Sequence, residues 1–218
     1  MIIQFGIPRS GTTVVWQILN ELFPNEVIKT HSVKKYDCKS VLTIRDFRDI
    51  LISQFMTDRE KNGKMQSLDL GNKCFKSKEI SMPIFSKIII NKYVKRIIKE
   101  EKFLQEYINF YKDNCICLKY EKFFENFEYI FENLENFFNI DINKKTKVAI
   151  INKYKLESNK KISDRLEDFN QWDSNSLIHG HHIINGTPGN WKNIIPKKLH
   201  GYLNRNLSKI LRRWEYIS

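Results

Sequence analysis

Along the chain the apolar positions form short runs first and helical stripes later, and that change predicts the elements. Met1-Ile-Ile-Gln-Phe-Gly6 is a brief apolar run closed by glycine, the pattern of a buried strand. Residues 12–23 carry apolar groups at helical spacing and stop at Pro24. Residues 26–29 and 40–44 read as two further strands, and 46–56 as a second helix. Strand and helix alternating at this spacing predict βαβ units around a parallel sheet. The polar stretch 57–82, with Gly63 and Gly71, is too long for a simple connector and reads as a lid or substrate loop. From 83 to 111 the apolar positions return at helical spacing, predicting one long helix or two joined ones. Residues 115–118 read as a strand and 123–138 as a helix, whose stripe Phe124, Phe127, Phe131, Leu134, Phe138 is expected to pack in the core. Helices are expected over 143–156 and 196–214, with 157–195 largely irregular. The whole, 1–218, reads as one domain with 57–82 and 157–190 as loop or lid insertions.

Composition removes several function classes. The chain has 218 residues, is 41% hydrophobic and 13% aromatic, and so can bury a core rather than remain disordered. No stretch approaches the run of about 18 apolar residues that a membrane span needs. With the first strand opening at Met1, no signal peptide or membrane stem is expected ahead of it. Cys38, Cys74, Cys115 and Cys117 form no C-x-x-C pair, so neither a disulfide framework nor a zinc site is expected. A cytoplasmic, reducing setting follows from that. The net charge is +12, yet the excess is diffuse: residues 57–122 carry 15 basic and 9 acidic groups, and 143–218 carry 15 and 6. Without an arginine-rich tail or lysine block, the expectation is no nucleic-acid partner but a field suited to an anionic ligand.

The first strand and helix are joined by Gly6-Ile-Pro-Arg-Ser-Gly-Thr-Thr13. A glycine-bearing loop in that position wraps backbone N–H groups around a phosphate, aided by the helix N-terminus. The spacing of Gly6 and Gly11 matches G-x-x-x-x-G-K-[S/T], but Thr12 stands where a nucleoside triphosphatase needs lysine. An ordinary strand–turn–helix is the plainer alternative; Arg9, Ser10, Thr12 and Thr13 gathered at one turn favour the phosphate.

Five segments in sequence order carry a family resemblance. Pro8-Arg-Ser-Gly-Thr-Thr13 is similar to the 5′-phosphosulfate loop of sulfotransferases that use 3′-phosphoadenosine 5′-phosphosulfate (PAPS). Lys29-Thr-His31 resembles the Lys-Thr-His after their second strand. Arg45 and Ser53, eight residues apart, resemble their 3′-phosphate motif. Leu118-Lys-Tyr120-Glu121 resembles the strand end that meets adenine, and Gly186-Thr-Pro-Gly-Asn-Trp191-Lys-Asn193 the late glycine signature. The resemblance implies a P-loop-like, three-layer α/β fold with a central parallel sheet flanked by helices, PAPS as co-substrate, and no metal. There are departures. Arg9 stands where many members have lysine, Val14 where an adenine-stacking tryptophan would be, and Ile184-Asn185 where an Arg-Lys pair would precede Gly186. His181 and His182 are the nearby candidates to compensate for that pair.

Read as chemistry, sulfuryl transfer is a loose in-line displacement governed by positioning and electrostatics. His31 is the expected general base, while Lys29 and Arg9 would offset charge on the sulfuryl group and the leaving phosphate. The expected nucleotide contacts are Arg9, Ser10, Gly11, Thr12, Thr13, Arg45, Ser53, Tyr120 and Gly186. Lys192 is a further candidate facing the ligand. Asp46 and Asp49 are expected to cap the following helix, and Trp191 to pack. His179, His181 and His182 have no Cys or carboxylate at ligand spacing, so no metal site is expected. The acceptor would bear a hydroxyl, less readily an amine, on a glycan or a small alcohol. A P-loop-type small-molecule kinase, a non-catalytic nucleotide-binding protein and a basic binding module stay open as alternatives.

Overall fold

The computed structural model describes residues 1–31, 37–61, 85–180, 183 and 186–218, the side chains at 59–61 excepted. Strands β1 (Ile2–Gly6), β2 (Val27–Thr30), β3 (Lys39–Ile44) and β4 (Cys115–Lys119) form one parallel sheet in the order β2-β1-β3-β4. Ile3 pairs with Ile28 and Ser40, and Leu42 with Cys117, so the strand C-terminal ends come level along one edge of the layer. Helices α1 (Thr12–Leu22), α2 (Phe47–Lys61) and α3 (Lys87–Tyr111) follow β1, β3 and α2 in turn.

Alternation along the strands divides the core in two. Ile3 and Phe5 face one side with Leu42 and Ile44, against α2, α3 and the last helix, α9 (Lys197–Arg213). Ile2 and Val41 face the other side, against α1 and α5 (Glu128–Phe138). The sheet is thus flanked by helices on both faces, the three-layer arrangement expected.

Several boundaries differ from the sequence reading. Helix α2 continues to Lys61, into the stretch assigned to a loop; Thr57, still buried, bonds back to the Ser53 carbonyl. The remainder of that stretch, 62–82, lies outside the described residues, as do Cys74, His181, His182, Ile184 and Asn185. The predicted 123–138 helix is two: α4 (Tyr120–Glu125) and α5, parted at Asn126, whose side chain accepts from Glu128 N–H. The helix predicted over 143–156 ends as α6 (Lys144–Tyr154). Most instructive is α7 (Leu156–Arg165), inside the segment read as irregular. Its buried residues are Asn159 and Ser163, so polar groups face the core and hydrophobic periodicity cannot reveal it. A short antiparallel hairpin, β5 (Trp172–Asp173) with β6 (Ile178–His179), follows, and then α8 (Trp191–Ile194).

Candidate active site

The C-terminal ends of β1, β2 and β3 open into a cavity of about 740 Å³, where open α/β sheets place their ligands. Its floor is the loop between β1 and α1. Gly11, at φ 92°, precedes α1 with no side-chain cap, so the first N–H groups of an 11-residue helix are left to the cavity. A Cβ on Gly11 would come within 2.8 Å of both Phe123 and Tyr120, so this position tolerates glycine alone. Arg9 is also left-handed, at φ 81°, a conformation costing a non-glycine residue roughly 1–2 kcal/mol. That backbone turns its guanidinium inward, where Nε donates to Ser53 Oγ at 2.8 Å.

Lys29 and His31 reach the cavity from the end of β2. Lys29 Nζ donates to Thr13 Oγ1 at 2.7 Å. Burial, then the nearby Arg9 charge, push its ammonium down to about 8. Arg9 is itself lowered to about 10 by burial and by Arg45, and still carries its charge at neutral pH. His31 Nδ1 lies 2.8 Å from the Gly6 carbonyl oxygen. A carbonyl only accepts, so Nδ1 holds the ring proton and Nε2 presents its lone pair. Desolvation, with Lys29 adding to it, lowers His31 below the ordinary histidine value despite that carbonyl. The ring is therefore neutral near pH 7.

Arg45, just past the end of β3, has its guanidinium carbon 4.3 Å from the centre of the Tyr120 ring, and its Nη2 donates to the Gly186 and Thr187 carbonyls at 3.3 Å. Among the described residues its buried Nε has no hydrogen-bond partner. Tyr120 Oη donates to the same Gly186 oxygen at 2.7 Å, and Gly186 takes φ 75°. Asp49 ties this segment down: it accepts from Gly189 N–H at 2.6 Å and Trp191 N–H at 2.9 Å, with Arg45 Nη2 3.9 Å away. Burial raises the Asp49 carboxyl against the opposing pull of Arg45 and the two N–H groups.

The sequence candidates therefore converge on one cavity, with two exceptions, Ser10 and Lys192. Ser10 is fully buried and its hydroxyl contacts the Ile7 and Thr43 carbonyls and the Thr43 hydroxyl, so it does not face the cavity. Lys192 is exposed beside the Trp191 ring and does not line the cavity. Asp49 caps α8 rather than its own helix; Asp46 does bond the first turn, accepting from Arg48 N–H at 2.9 Å. Trp191 is buried in the core, beneath the Arg48 guanidinium.

Other cavity residues were not singled out. Phe124 and Phe127, assigned to the core stripe, both line the cavity, Phe127 packing against the core as well, while Phe131 and Leu134 are fully buried. The break at Asn126 separates Phe124 from the α5 face that Phe127 and Phe131 share, and no continuous stripe could show that. Leu156 also lines it, through the unforeseen α7. Among the described residues no group of His, Cys, Asp and Glu could hold a metal. No described helix is long and apolar enough to cross a membrane.

Comparison with known proteins identifies the family and the fold. A family model described as the sulfotransferase domain matches residues 23–214. The chain belongs to the sulfotransferase family. No curated protein sequence matches it. Among solved structures, mouse sulfotransferase SULT7A1 complexed with PAP is 15% identical with a TM-score of 0.67, covering 99% of this chain and 85% of that one. Retinol dehydratase with androsterone and the inactive cofactor PAP is also 15% identical, with a TM-score of 0.64 over 96% of this chain and 80% of that one. A complex of retinol dehydratase with retinol and PAP gives 0.65 at the same identity and coverage.

Proposed function

We propose that the chain transfers the sulfuryl group of PAPS to an acceptor hydroxyl, with His31 as general base. The observation that carries this is the Nδ1–Gly6 contact, which leaves Nε2 of a neutral imidazole open beside Lys29 and the phosphate loop. The residues fit the nucleotide: an uncapped helix N-terminus with Arg9 beside it for the 5′ end, and an orphaned Arg45 Nε for the second phosphate. PAPS would supply an activated sulfuryl group whose leaving group is already a stable phosphate.

His31 Nε2 takes the proton as the acceptor oxygen bonds to sulfur, and the bond from sulfur to the 5′-phosphate oxygen breaks. The electron pair leaves on that phosphate, where Arg9 and the loop N–H groups meet it. Lys29 stands where it can follow the charge from the sulfuryl oxygens to the bridging oxygen. Products are a sulfate ester, adenosine 3′,5′-bisphosphate (PAP) and the proton on His31.

Thermal melting with PAP, AMP and ATP–Mg tests the nucleotide half. Selective stabilisation by PAP without metal is expected; an equal response to all three, or none, sinks the reading. His31→Ala should lower turnover by about 10²–10⁴-fold while PAP still binds. Unchanged turnover removes His31 from the base role.

A further inference from the structure

Helices α3 and α9 lie side by side on the same face of the sheet, outside the cavity chemistry. Tyr202 Oη donates to Asn91 Oδ1 at 2.6 Å, Lys87 Nζ lies 5.3 Å from the Tyr202 ring centre, and Arg213 Nη1 donates to the buried Glu101 at 2.6 Å. Asn91 meets Tyr202 and Glu101 meets Arg213, so the two helices run parallel for about 15 Å. Positions four, seven and eleven after Asn91 share its side of α3: Lys95, Ile98 and Lys102. Counted in the same way from Tyr202, Asn206, Lys209 and Arg213 share its side of α9, with Arg205 beside them. The seam is thus bordered by Lys95 and Lys102 on one helix and by Arg205, Lys209 and Arg213 on the other. All five are exposed, and Ile98 stands among them with 47% of its surface in water.

Little on this face offsets the charge. Helix α9 carries Lys197, Lys198, Arg205, Lys209, Arg212 and Arg213 and no acid. On α3, Glu101 is buried against Arg213 and Glu100 is held by Arg96, which leaves Glu106, 4.0 Å from Lys102, as the exposed acid of that helix. Arg212 turns to the Ser218 oxygen at 3.4 Å. Lys95, Arg205 and Lys209 have no carboxylate partner among the described residues. Ile88, 70% exposed, continues into Lys92, Lys95 and Lys99 along the outward line of α3. A face kept only for solubility intersperses both signs of charge. Like charges gathered along one seam repel each other, a cost that an anionic partner turns into attraction. Aliphatic side chains standing in water among them add a second driving force.

We propose that the α3–α9 face docks on an anionic lipid surface, its cations on the headgroups and Ile88 and Ile98 in the interface. This does not depend on the sulfuryl-transfer reading. A bilayer surface combines negative charge, broad extent and an apolar layer just beneath, which matches cations set around aliphatic side chains. Duplex nucleic acid fits less well. Its major groove, about 12 Å wide, admits one helix and not two abreast, and phosphates would leave Ile88 and Ile98 without an apolar partner. Arg96, four residues beyond Lys92, lines the cavity, so the face begins at the cavity rim.

The test floats the whole chain with vesicles of phosphatidylcholine alone and of phosphatidylcholine with about 30% phosphatidylserine. Recovery with the anionic vesicles is expected at about 0.1 M salt, falling at about 0.5 M as the charges are screened. Lys95→Glu with Lys209→Glu should weaken vesicle affinity by about tenfold or more at an unchanged melting midpoint. Lys144→Glu with Lys145→Glu makes the same change in net charge on exposed residues of α6, across the sheet, and should leave affinity within about twofold. Ile88→Asn with Ile98→Asn should weaken binding and keep its salt dependence. No recovery with anionic vesicles, or equal recovery with neutral ones, overturns the proposal. An equal loss in both charge-reversed pairs overturns it too, since the effect would then be one of net charge alone. Duplex DNA bound more tightly than the vesicles, with that binding lost in Lys95→Glu with Lys209→Glu, would assign the face to nucleic acid and overturn the lipid reading.

Discussion

At the scale of single residues, His31 and Lys29 set opposite limits on pH. As the proposed base, His31 would have to be neutral to take a proton, and its value lies below that of ordinary histidine. Lys29 must be charged, and it loses its proton through about 8. The profile of kcat/KM for PAPS, which reads the free protein, should therefore fall on the acid side below pH ~6.5. It should fall again on the alkaline side as Lys29 titrates. In Lys29→Arg the alkaline limb should move out of range, since a guanidinium stays charged. An alkaline limb unmoved by that substitution would assign it to another group. Residue identity was most legible where a short motif fixes backbone and charge together, as with Arg9, Gly11, Lys29 and His31. It misled at Ser10 and Lys192, because a motif names a residue without saying which way its side chain turns. The Ser10 hydroxyl turns to Thr43 across the sheet, a contact 33 residues away in the chain.

At the scale of elements, Asp49 links parts of the chain that no local pattern connects. One carboxylate on α2 holds two N–H groups of the 186–191 segment, and that segment supplies the carbonyls facing Arg45 and Tyr120. Asp49→Asn keeps the shape but sets an amide N–H₂ against one of those N–H groups. A loss of about 1–3 kcal/mol in urea unfolding is expected, with weaker PAP binding in titration. Unaltered stability and affinity would show that the segment holds itself. Helix α7 marks the limit of pattern reading. Asn159 Nδ2 donates to Gln17 Oε1 at 2.9 Å, while Gln17 Nε2 donates to Asn159 Oδ1 at 3.3 Å and to the Ser176 carbonyl at 2.8 Å. A helix docked by amides has no apolar stripe to announce it. By contrast β1, α1 and β3 were visible within a residue or two, the strands because burial on both sheet faces leaves short apolar-rich runs and the helix because Pro24 marks its stop.

At the scale of the whole molecule, the C-terminal residues close one core. Trp214 and Tyr216 pack near Phe47, and Tyr216 Oη donates to Glu121 at 3.0 Å, whose other oxygen accepts from Asp46 N–H at 2.8 Å. Trp214 Nε1 also donates to the buried Glu101 at 3.2 Å. Ending the chain after Arg213 should cost more than about 2 kcal/mol, seen as a lower denaturant midpoint, because it uncovers apolar surface and strips donors from two acids. A midpoint unchanged by the truncation would make this tail an ornament. The sheet order has a different consequence. Among the described residues strand β2 is an edge, hydrogen-bonded on one side only, and it is the strand that carries Lys29 and His31 to the cavity. Edges open locally at a fraction of the free energy of global unfolding. On the proposed roles, mild heat or denaturant should withdraw His31 and Lys29 while both cores stay closed. Activity should then be lost in a molecule that is still folded, and a bound anion that tethers Lys29 should protect against this inactivation more than it raises the melting point.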